Sequence, residues 1–375
     1  MSVDQMKWVV QGTFLFLAGC SSVGGNIITG EGLPNPNPVV TNQWGELPAG
    51  RSWGHTAGID IDPTDGNIWA YERCGAGGGG GGAASGPVNC DTNPVDPIFK
   101  LDRNTGEVLA NFGTGILTMP HGIHVDYDGN VWITDFATNA SGTKGQQVHK
   151  FSPDGELLMS LGVAGQAGND GAHFSQPTDV VVAVDGSIFV SDGHSGQNMT
   201  TAAAIEEGRQ AGQTGRIIKF TADGTYIKAW GQLGTAHGEF RTPHALEIDS
   251  QGRLWVADRG NHRLEIFDLE GNYLESRYSY GRISGIFVTD DNLVYAIDSE
   301  SDPFRHINWI AGVRVGPLNE DRITAFIPGY LTETRGYQAT AGEGVAVDAD
   351  GTVFVAEGPS SIPIARGSYT RYSVD

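Results

Sequence analysis

The sequence predicts an all-β fold assembled from six copies of one unit, and three features support this prediction. A phrase of two polar or small residues, an apolar strand, an Asp-Gly-type turn and a second apolar strand ending in an acid occurs six times. Apolar and polar residues alternate within the strands, as in half-buried β-strands. A second hairpin follows each copy, so the repeated unit has four strands.

The six copies are recognised by their turns, which read Asp-Gly, Asp-Asn or Gln-Gly. The two clearest copies run from Pro120 to Asp135 and from Pro243 to Asp258. The other four begin near Gly58, Pro177, Gly285 and Gly342. Because Asp-Gly is the preferred dipeptide of a tight hairpin turn, these turns do not by themselves predict calcium.

The second hairpins complete the unit, and the clearest of them cover residues 148–162, 216–231 and 263–278. Four-stranded antiparallel units repeated around an axis are the blades of a β-propeller. The sequence therefore predicts a six-bladed β-propeller over residues 45–375, with insertions mostly between blade halves. The last copy lacks a clear outer strand, so we expect the segment around residues 38–47 to close the ring. A short helix is expected over residues 200–210.

The N-terminal residues differ in composition from the repeats. Lys7 precedes an apolar stretch, Trp8 to Ala18, which is too short to span a membrane and is typical of an export signal. The tetrapeptide 17–20, Leu-Ala-Gly-Cys, resembles a bacterial lipobox, which implies cleavage before Cys20 and lipidation of its thiol. An ordinary buried apolar segment is the alternative interpretation.

These features divide the chain into three predicted regions. Residues 1–20 are predicted to be a lipoprotein-type signal segment, residues 21–44 a flexible Gly/Pro/Asn-rich tether, and residues 45–375 a single propeller domain. The expected location is outside the cytoplasm, lipid-anchored in the cell envelope or the periplasm.

Charge and cysteine content narrow the classes of partner. A formal net charge of -21 argues against nucleic acid, whose phosphates bind Lys and Arg. We expect a monomer that contacts a membrane only through its lipid anchor. In an oxidising compartment, Cys74 and Cys90 are able to close a loop that contains the six glycines of residues 77–82. Two free thiols are the alternative.

The inner strand of each blade begins at one rim of the central tunnel. Aligning the copies places one residue per blade at that rim: Ala57, His121, Thr178, His244, Ser284 and Glu343. His121, His244 and Glu343 lie on alternate blades, about 120° apart in a six-fold ring, so their side chains are able to converge. Two imidazoles and a carboxylate are a common catalytic site for a divalent metal. Alternatively, each histidine only binds a neighbouring loop.

Five short segments between residues 119 and 268 form a specific pattern: Pro120-His121-Gly122, the string His-Phe-Ser-Gln-Pro-Thr-Asp-Val at 173–180, Val190 to Gly193, Pro243-His244 and Ala257-Asp258-Arg259. With these segments, residues 119–268 resemble the core of peptidyl-α-hydroxyglycine α-amidating lyases, and the repeats resemble NHL-type propeller repeats. The resemblance implies a divalent metal, zinc, a structural calcium at the tunnel, and a small-molecule or peptide-like substrate.

The resemblance also implies roles for residues at the rim. Arg73 and Arg259 match active-site arginines of the family, which would hold a substrate carboxylate bidentately. His194 stands where the family has a tyrosine that acts in proton transfer, so His194 is the predicted catalytic base. Arg259 also fits a common blade turn of NHL repeats.

The implied metal ligands are His121, His244 and Glu343. The family has a third histidine, in the sequence Pro-His-Asp, where this chain has Gly-Glu-Gly at residues 342–344. Glutamate is a known zinc ligand, so the site is expected to persist with altered affinity or metal choice.

Three functions are compatible with these features. The first is a metal-dependent lyase that splits a carbinolamide into an amide and an aldehyde such as glyoxylate. The second is a metal-dependent propeller hydrolase. The third is an exported, non-catalytic NHL propeller that binds a protein or a glycan, because fold alone does not decide function.

Overall fold

The computed structural model describes residues 25–48, 50–51, 53–75, 89–302, 304–329, 342–357 and 368–374. It contains six four-stranded antiparallel sheets, and each sheet is one blade. The predicted six-bladed β-propeller is therefore confirmed. The predicted signal segment 1–20, the lipobox Cys20 and the glycine run 77–82 lie outside the described residues.

Each blade is a continuous run of strands, except that the first strand of the chain belongs to the last blade. In chain order the strands are β1 (Val39–Trp44), β2 (Ile59–Ile61), β3 (Ile68–Tyr71), β4 (Ile98–Leu101), β5 (Val108–Phe112), β6 (Pro120–Val125), β7 (Val131–Asp135), β8 (Gln147–Phe151), β9 (Leu157–Leu161), β10 (Pro177–Val182), β11 (Ile188–Asp192), β12 (Arg216–Phe220), β13 (Tyr226–Trp230), β14 (Pro243–Ile248), β15 (Arg253–Asp258), β16 (Arg263–Asp268), β17 (Tyr273–Arg277), β18 (Ile283–Val288), β19 (Leu293–Asp298), β20 (Gly312–Pro317), β21 (Ala325–Pro328), β22 (Gly344–Val347), β23 (Val353–Glu357) and β24 (Ser368–Ser373). Blades one to five are β2–β5, β6–β9, β10–β13, β14–β17 and β18–β21.

The ring is closed by pairing the two ends of the chain. Blade six has the order β22-β23-β24-β1, and β1 runs antiparallel to β24 with Thr41 opposite Arg371. The expected closure around residues 38–47 is confirmed. Since β1 lies within residues 21–44, part of the predicted tether forms a strand. Trp44 is the buried side chain of β1, and its ring lies 4.9 Å from that of Phe354.

Hydrogen bonds of one kind fasten the inner hairpins of blades one, two and four. The first aspartate of each turn accepts a hydrogen bond from the indole Nε1 of a tryptophan on the following strand. The pairs are Trp69 with Asp62 at 3.0 Å, Trp132 with Asp126 at 3.0 Å, and Trp255 with Asp249 at 2.8 Å. Lys100, Lys150 and Arg253 pair with the same three carboxylates. We call each of these Trp–Asp hydrogen bonds a hairpin clip. The clips hold the turns without a bound metal ion.

The acid that ends the second strand of a blade fixes the loop that leads into the inner strand. In blade two, the Asp135 carboxylate accepts the backbone N–H groups of Thr118 at 2.9 Å and Met119 at 2.6 Å. Burial raises the pKa of Asp135 to about 7. Because these two residues immediately precede Pro120 and His121, Asp135 helps to set the position of His121 at the rim.

Two further elements flank the rim. Cys74 and Cys90 form a disulfide with a Cα–Cα distance of 4.9 Å, so the predicted bond is present. The insertion between β11 and β12 contains a 3₁₀ turn (His194–Asn198) and helix α1 (Ala202–Gln210), which confirms the expected short helix. Among the described residues, no helix has the length and apolarity to cross a membrane.

Candidate metal centre at the propeller rim

His121 and His244 occupy equivalent places, each as the second residue of an inner strand. The Nδ1 of His121 lies 2.8 Å from the Thr178 carbonyl oxygen, and the Nδ1 of His244 lies 2.7 Å from the Ser284 carbonyl oxygen. Because a carbonyl only accepts, each Nδ1 carries the hydrogen and each Nε2 keeps a lone pair. The Nε2 of His244 is buried and has no hydrogen-bond partner in the described part of the chain.

His194 joins these two histidines from blade three. It follows Gly193, whose φ of 124° is a conformation that side chains rarely adopt, and a Cβ there would lie 2.0 Å from the Thr214 carbonyl oxygen. One donor nitrogen from each of His121, His194 and His244 lies within 4.8 Å of the others. The ring centroids are 4.7 Å apart for His121 and His244, and 5.1 Å apart for His121 and His194.

The electrostatic state of the three rings suits a metal ion. Burial, followed by the nearby His194 and Arg73, lowers the pKa of His121 well below its usual range. Burial and the charge of Arg259 lower the pKa of His194 to about 3, and they lower that of His244 well below 6.5. All three rings are therefore neutral at neutral pH. Three neutral imidazoles with an open side are a known donor set for catalytic zinc.

Glu343, the third predicted ligand, lies beside this group and has cationic and imidazole neighbours. Its two carboxylate oxygens lie 3.9 Å from His55 Nε2 and 3.9 Å from Arg259 Nη1. Burial favours the protonated form, but His55, His244 and Arg259 together hold the pKa of Glu343 well below its usual range. Glu343 is therefore an ionised carboxylate at the rim.

The two predicted arginines are both buried, but their surroundings differ. Arg73 donates from Nε to the Pro120 carbonyl at 2.8 Å and from Nη1 to His55 Nδ1 at 3.1 Å. Its guanidinium lies 5.4 Å from the centre of the Phe136 ring. Among the described residues, Arg73 has no carboxylate partner within salt-bridge distance. A buried guanidinium without a carboxylate is suited to receive an anion.

Arg259, in contrast, is at the centre of a network. It donates to Gln197 Oε1 at 2.9 Å and to Ser284 Oγ at 3.3 Å. Its Nη2 also lies 3.2 Å from His194 Nε2, and its Nη1 lies 3.8 Å from Glu300. Its guanidinium therefore lies within ion-pair distance of both Glu300 and Glu343.

Two charged residues of this network were not predicted from the sequence. Arg282 precedes the inner strand of blade five and donates to Glu300 Oε2 at 3.0 Å and to Gln197 Oε1 at 2.8 Å. Glu300 follows the acid Asp298 by two residues, as His194 follows Asp192. Counting residues from the rim acid of each blade would therefore have identified Glu300.

Acidic residues also line the tunnel below the rim. Asp60, Asp179 and Glu247 lie on the inner strands of three blades, and His124 Nδ1 lies 3.2 Å from Asp60. Burial raises the pKa of Asp179 to about 7 and that of Glu247 well above its usual range. The structural calcium stays a prediction.

Comparison with known proteins shows what this chain is similar to. The NHL repeat family matches residues 240–267. Peptidyl-glycine alpha-amidating monooxygenase B of Xenopus laevis is 31% identical over 323 residues, which is 81% of this chain and 33% of that protein. Peptidyl-alpha-hydroxyglycine alpha-amidating lyase 2 of Drosophila melanogaster is 26% identical over 239 residues, which is 61% of this chain and 51% of that protein. The chain thus spans about a third of the monooxygenase.

Solved structures with the same fold are more distant in sequence. A gluconolactonase from Xanthomonas campestris superposes with a TM-score of 0.53 at 13% identity and covers 89% of each chain. Virginiamycin B lyase from Staphylococcus aureus superposes with a TM-score of 0.51 at 12% identity, over 90% of this chain and 99% of the lyase. At this identity, the likeness shows the propeller fold alone.

Proposed function

We propose that this chain, a six-bladed NHL-repeat propeller similar in sequence to peptidyl-α-hydroxyglycine α-amidating lyases, is a metal-dependent lyase for a small carboxylated substrate. The observation that carries the proposal is the convergence of three neutral histidines beside the buried Arg73. His121 and His244 are two of the metal ligands, and Glu343 or His194 supplies the third. When bound, a divalent ion such as zinc polarises a substrate oxygen as a Lewis acid.

The arginines bind and orient the substrate. Arg73 is held by Pro120 and His55, and its guanidinium, which has no carboxylate partner among the described residues, would bind a substrate carboxylate in a bidentate manner. Phe136 packs against Arg73 and His121, so it excludes water from one side of the site. Fixing the carboxylate places the adjacent carbon of the substrate next to the three histidines.

The reaction is the cleavage of a carbinolamide, and it needs neither an oxidant nor water. The bond between the amide nitrogen and the hydroxyl-bearing carbon breaks, while the hydroxyl oxygen forms a carbonyl with that carbon. The hydroxyl proton leaves and the amide nitrogen gains a proton, so the products are a primary amide and glyoxylate. We assign the uptake of this proton to one of two groups at the rim, the ring of His194 or the carboxylate of Glu343.

The test combines metal analysis with turnover of a peptidyl α-hydroxyglycine by the purified full chain. We expect about one equivalent of zinc per chain and the release of glyoxylate. His121→Ala and His244→Ala should lose both, whereas His237→Ala, which changes an exposed histidine, should keep both. A metal-free wild-type chain would refute the proposal. A metal-bearing chain that releases no glyoxylate would point to a diverged reaction, such as hydrolysis.

We also propose that the chain is exported and lipid-anchored through Cys20. The Leu-Ala-Gly-Cys segment supports this proposal, as does the Cys74–Cys90 disulfide, because such bonds persist in oxidising compartments. Replacing Cys20 by serine should move the protein from the membrane fraction to the soluble fraction of a bacterial host. An unchanged distribution would contradict the anchor.

A further inference from the structure

We propose that His194, rather than Glu343, is the third metal ligand, and that Arg259 competes with the metal for the His194 ring. The inference rests on the proposed function in one respect, that a metal binds at His121 and His244. It departs from the expected arrangement, in which Glu343 binds the ion and His194 is the base.

The first argument is distance. Nitrogens that bind one tetrahedral ion at about 2.0–2.1 Å lie about 3.4 Å from one another. The donor nitrogens of His121, His194 and His244 already lie within 4.8 Å of one another, so a small closure of the three rings is sufficient.

The second argument concerns Glu343, whose carboxylate lies within ion-pair distance of two other groups. It lies between His55 Nε2 and Arg259 Nη1, at 3.9 Å from each. The ring of His55 is held in one orientation, because its Nδ1 accepts a hydrogen bond from Arg73. The ring hydrogen is therefore on Nε2 and points away from Arg73. Coordination by Glu343 would withdraw it from both partners. If Glu343 does not coordinate the ion, its negative charge offsets part of the positive charge of a dication bound to three neutral rings.

The third argument concerns the hydrogen bond between Arg259 and His194. Arg259 is only a donor, so at 3.2 Å the Nε2 of His194 must carry the lone pair. If Nε2 coordinates the metal, that lone pair is used. If Nδ1 coordinates, the hydrogen must move to Nε2, which then faces another donor. Metal binding to His194 therefore breaks this hydrogen bond whichever ring nitrogen is used.

Because Arg259 and the metal cannot both bind the ring of His194, metal binding is coupled to substrate binding. Once the metal holds His194, one N–H of the Arg259 Nη2 group is released and becomes available to the substrate carboxylate, while the other still donates to Gln197 Oε1. Removing Arg259 should therefore strengthen metal binding, because the competing donor and a nearby positive charge are both lost. Loss of one competing hydrogen bond from a charged donor changes the affinity for the metal by roughly tenfold.

The experiment measures Co²⁺ binding to the chelator-treated full chain, with the visible absorption of Co²⁺ as the report of coordination. We expect His194→Ala to weaken binding by about 100-fold or more and to change the spectrum. Glu343→Gln should keep the spectrum and shift the affinity by less than tenfold. Arg259→Met should tighten binding by about tenfold. His237→Ala is the matched control for loss of a histidine.

The outcomes separate this inference from the proposed function. A wild-type chain that binds no Co²⁺ overturns both. A wild-type chain that binds Co²⁺, together with a His194→Ala variant of unchanged affinity and spectrum, overturns the ligand assignment alone. Loss of the spectrum in Glu343→Gln also overturns it. If circular dichroism shows that His194→Ala does not fold, His194→Gln takes its place, and the Arg259→Met result still decides whether Arg259 competes.

Discussion

At the scale of single residues, the hydrogen-bond partner of each histidine decides which ring nitrogen carries the lone pair. His121 and His244 donate to backbone carbonyls of the next blade, so the Nε2 of each ring carries the lone pair. His194 instead receives a hydrogen bond from Arg259. The repeated Pro-His context predicted the first two positions, because it aligns in the repeats. Their acceptors, Thr178 and Ser284, occupy the aligned rim position of the next blade, but the hydrogen bonds themselves depend on how neighbouring blades pack.

Arg73 gives a prediction about substrate binding. Because Arg73 is buried without a carboxylate partner in the described ranges, Arg73→Lys should raise KM for a carboxylated substrate by about 10- to 100-fold. The metal content should stay the same. Steady-state kinetics with the carboxylate and with its neutral amide analogue test this, and an equal loss for both substrates would argue against a carboxylate clamp.

His149 gives a prediction about pH. Burial lowers its pKa from 6.5 to about 4 on strand β8, away from the rim. Between these values the unfolded chain binds a proton that the folded chain does not, so stability falls as pH falls from about 6.5 to 4. His149→Asn, which can keep a polar contact to Ser160, should remove about 2 to 3 kcal/mol of this acid sensitivity.

The measurement for His149 is the free energy of unfolding in urea at pH 7 and at pH 4.5, in the wild type and the variant. The difference between the two pH values should be smaller in the variant. Equal acid sensitivity in both proteins would mean that His149 is protonated in the folded state.

At the scale of elements, the clips of the inner hairpins are the clearest physical regularity. The Trp132 indole donates to Asp126, a carboxylate that is otherwise held by Lys150 and turn backbone. Trp132→Phe should therefore cost about 1 to 3 kcal/mol. Trp230→Phe is the matched control, because the Trp230 Nε1 has no partner among the described residues. The free energies of unfolding in urea of the two variants are compared. Equal losses of stability would mean that the Trp132–Asp126 hydrogen bond does not stabilise the hairpin.

The Cys74–Cys90 disulfide supports another element, the loop that follows Arg73. The bond closes a loop of 16 residues in sequence separation, for which a stabilisation of about 3 kcal/mol is typical. The variant Cys74→Ser/Cys90→Ser should unfold at lower temperature by calorimetry, and reductant should lower the wild-type midpoint in the same way. A midpoint that is unchanged by both treatments would contradict this account.

Elements were easier to predict than the site, and the reason is physical. Strands such as β7 and β15 were found because period-two alternation and Asp-Gly turns are local signals. The 3₁₀ turn that carries His194 has no periodicity. Its position follows from Gly193 and from the packing of the insertion, which involve residues far apart in sequence.

At the scale of the whole molecule, the ring assembles the site from every blade. Blades two, three and four supply the three histidines, while His55, Glu300 and Glu343 come from blades one, five and six. The sequence predicted convergence on the pore, because the repeats define the inner strands. It predicted ligands on alternate blades only, because the residues aligned were those at the start of the inner strands. His194 and Glu300 lie two residues after the rim acids Asp192 and Asp298, a position that was not compared between blades.

Ring closure can be tested at Trp44. The strand β1 holds blade six through its hydrogen bonds to β24 and through Trp44, which is 6% exposed and packs on Phe354. Trp44→Ala should cost about 3 to 5 kcal/mol, as large-to-small core substitutions of tryptophan do. Val40→Ala is the control, because Val40 lies on the same strand but is 43% exposed. It should change stability by less than about 0.5 kcal/mol.

The two variants distinguish closure of the ring from formation of the site. Because the three histidines lie on blades two, three and four, the folded fraction of Trp44→Ala should still bind metal with wild-type stoichiometry. Limited proteolysis should cut near β1 faster than in Val40→Ala, since the strand has lost its anchor. A different result would be loss of the metal from Trp44→Ala at temperatures where circular dichroism shows that the variant is folded. The geometry of the site would then depend on closure of the ring by β1. Local packing of three adjacent blades would then be insufficient to hold the histidines together.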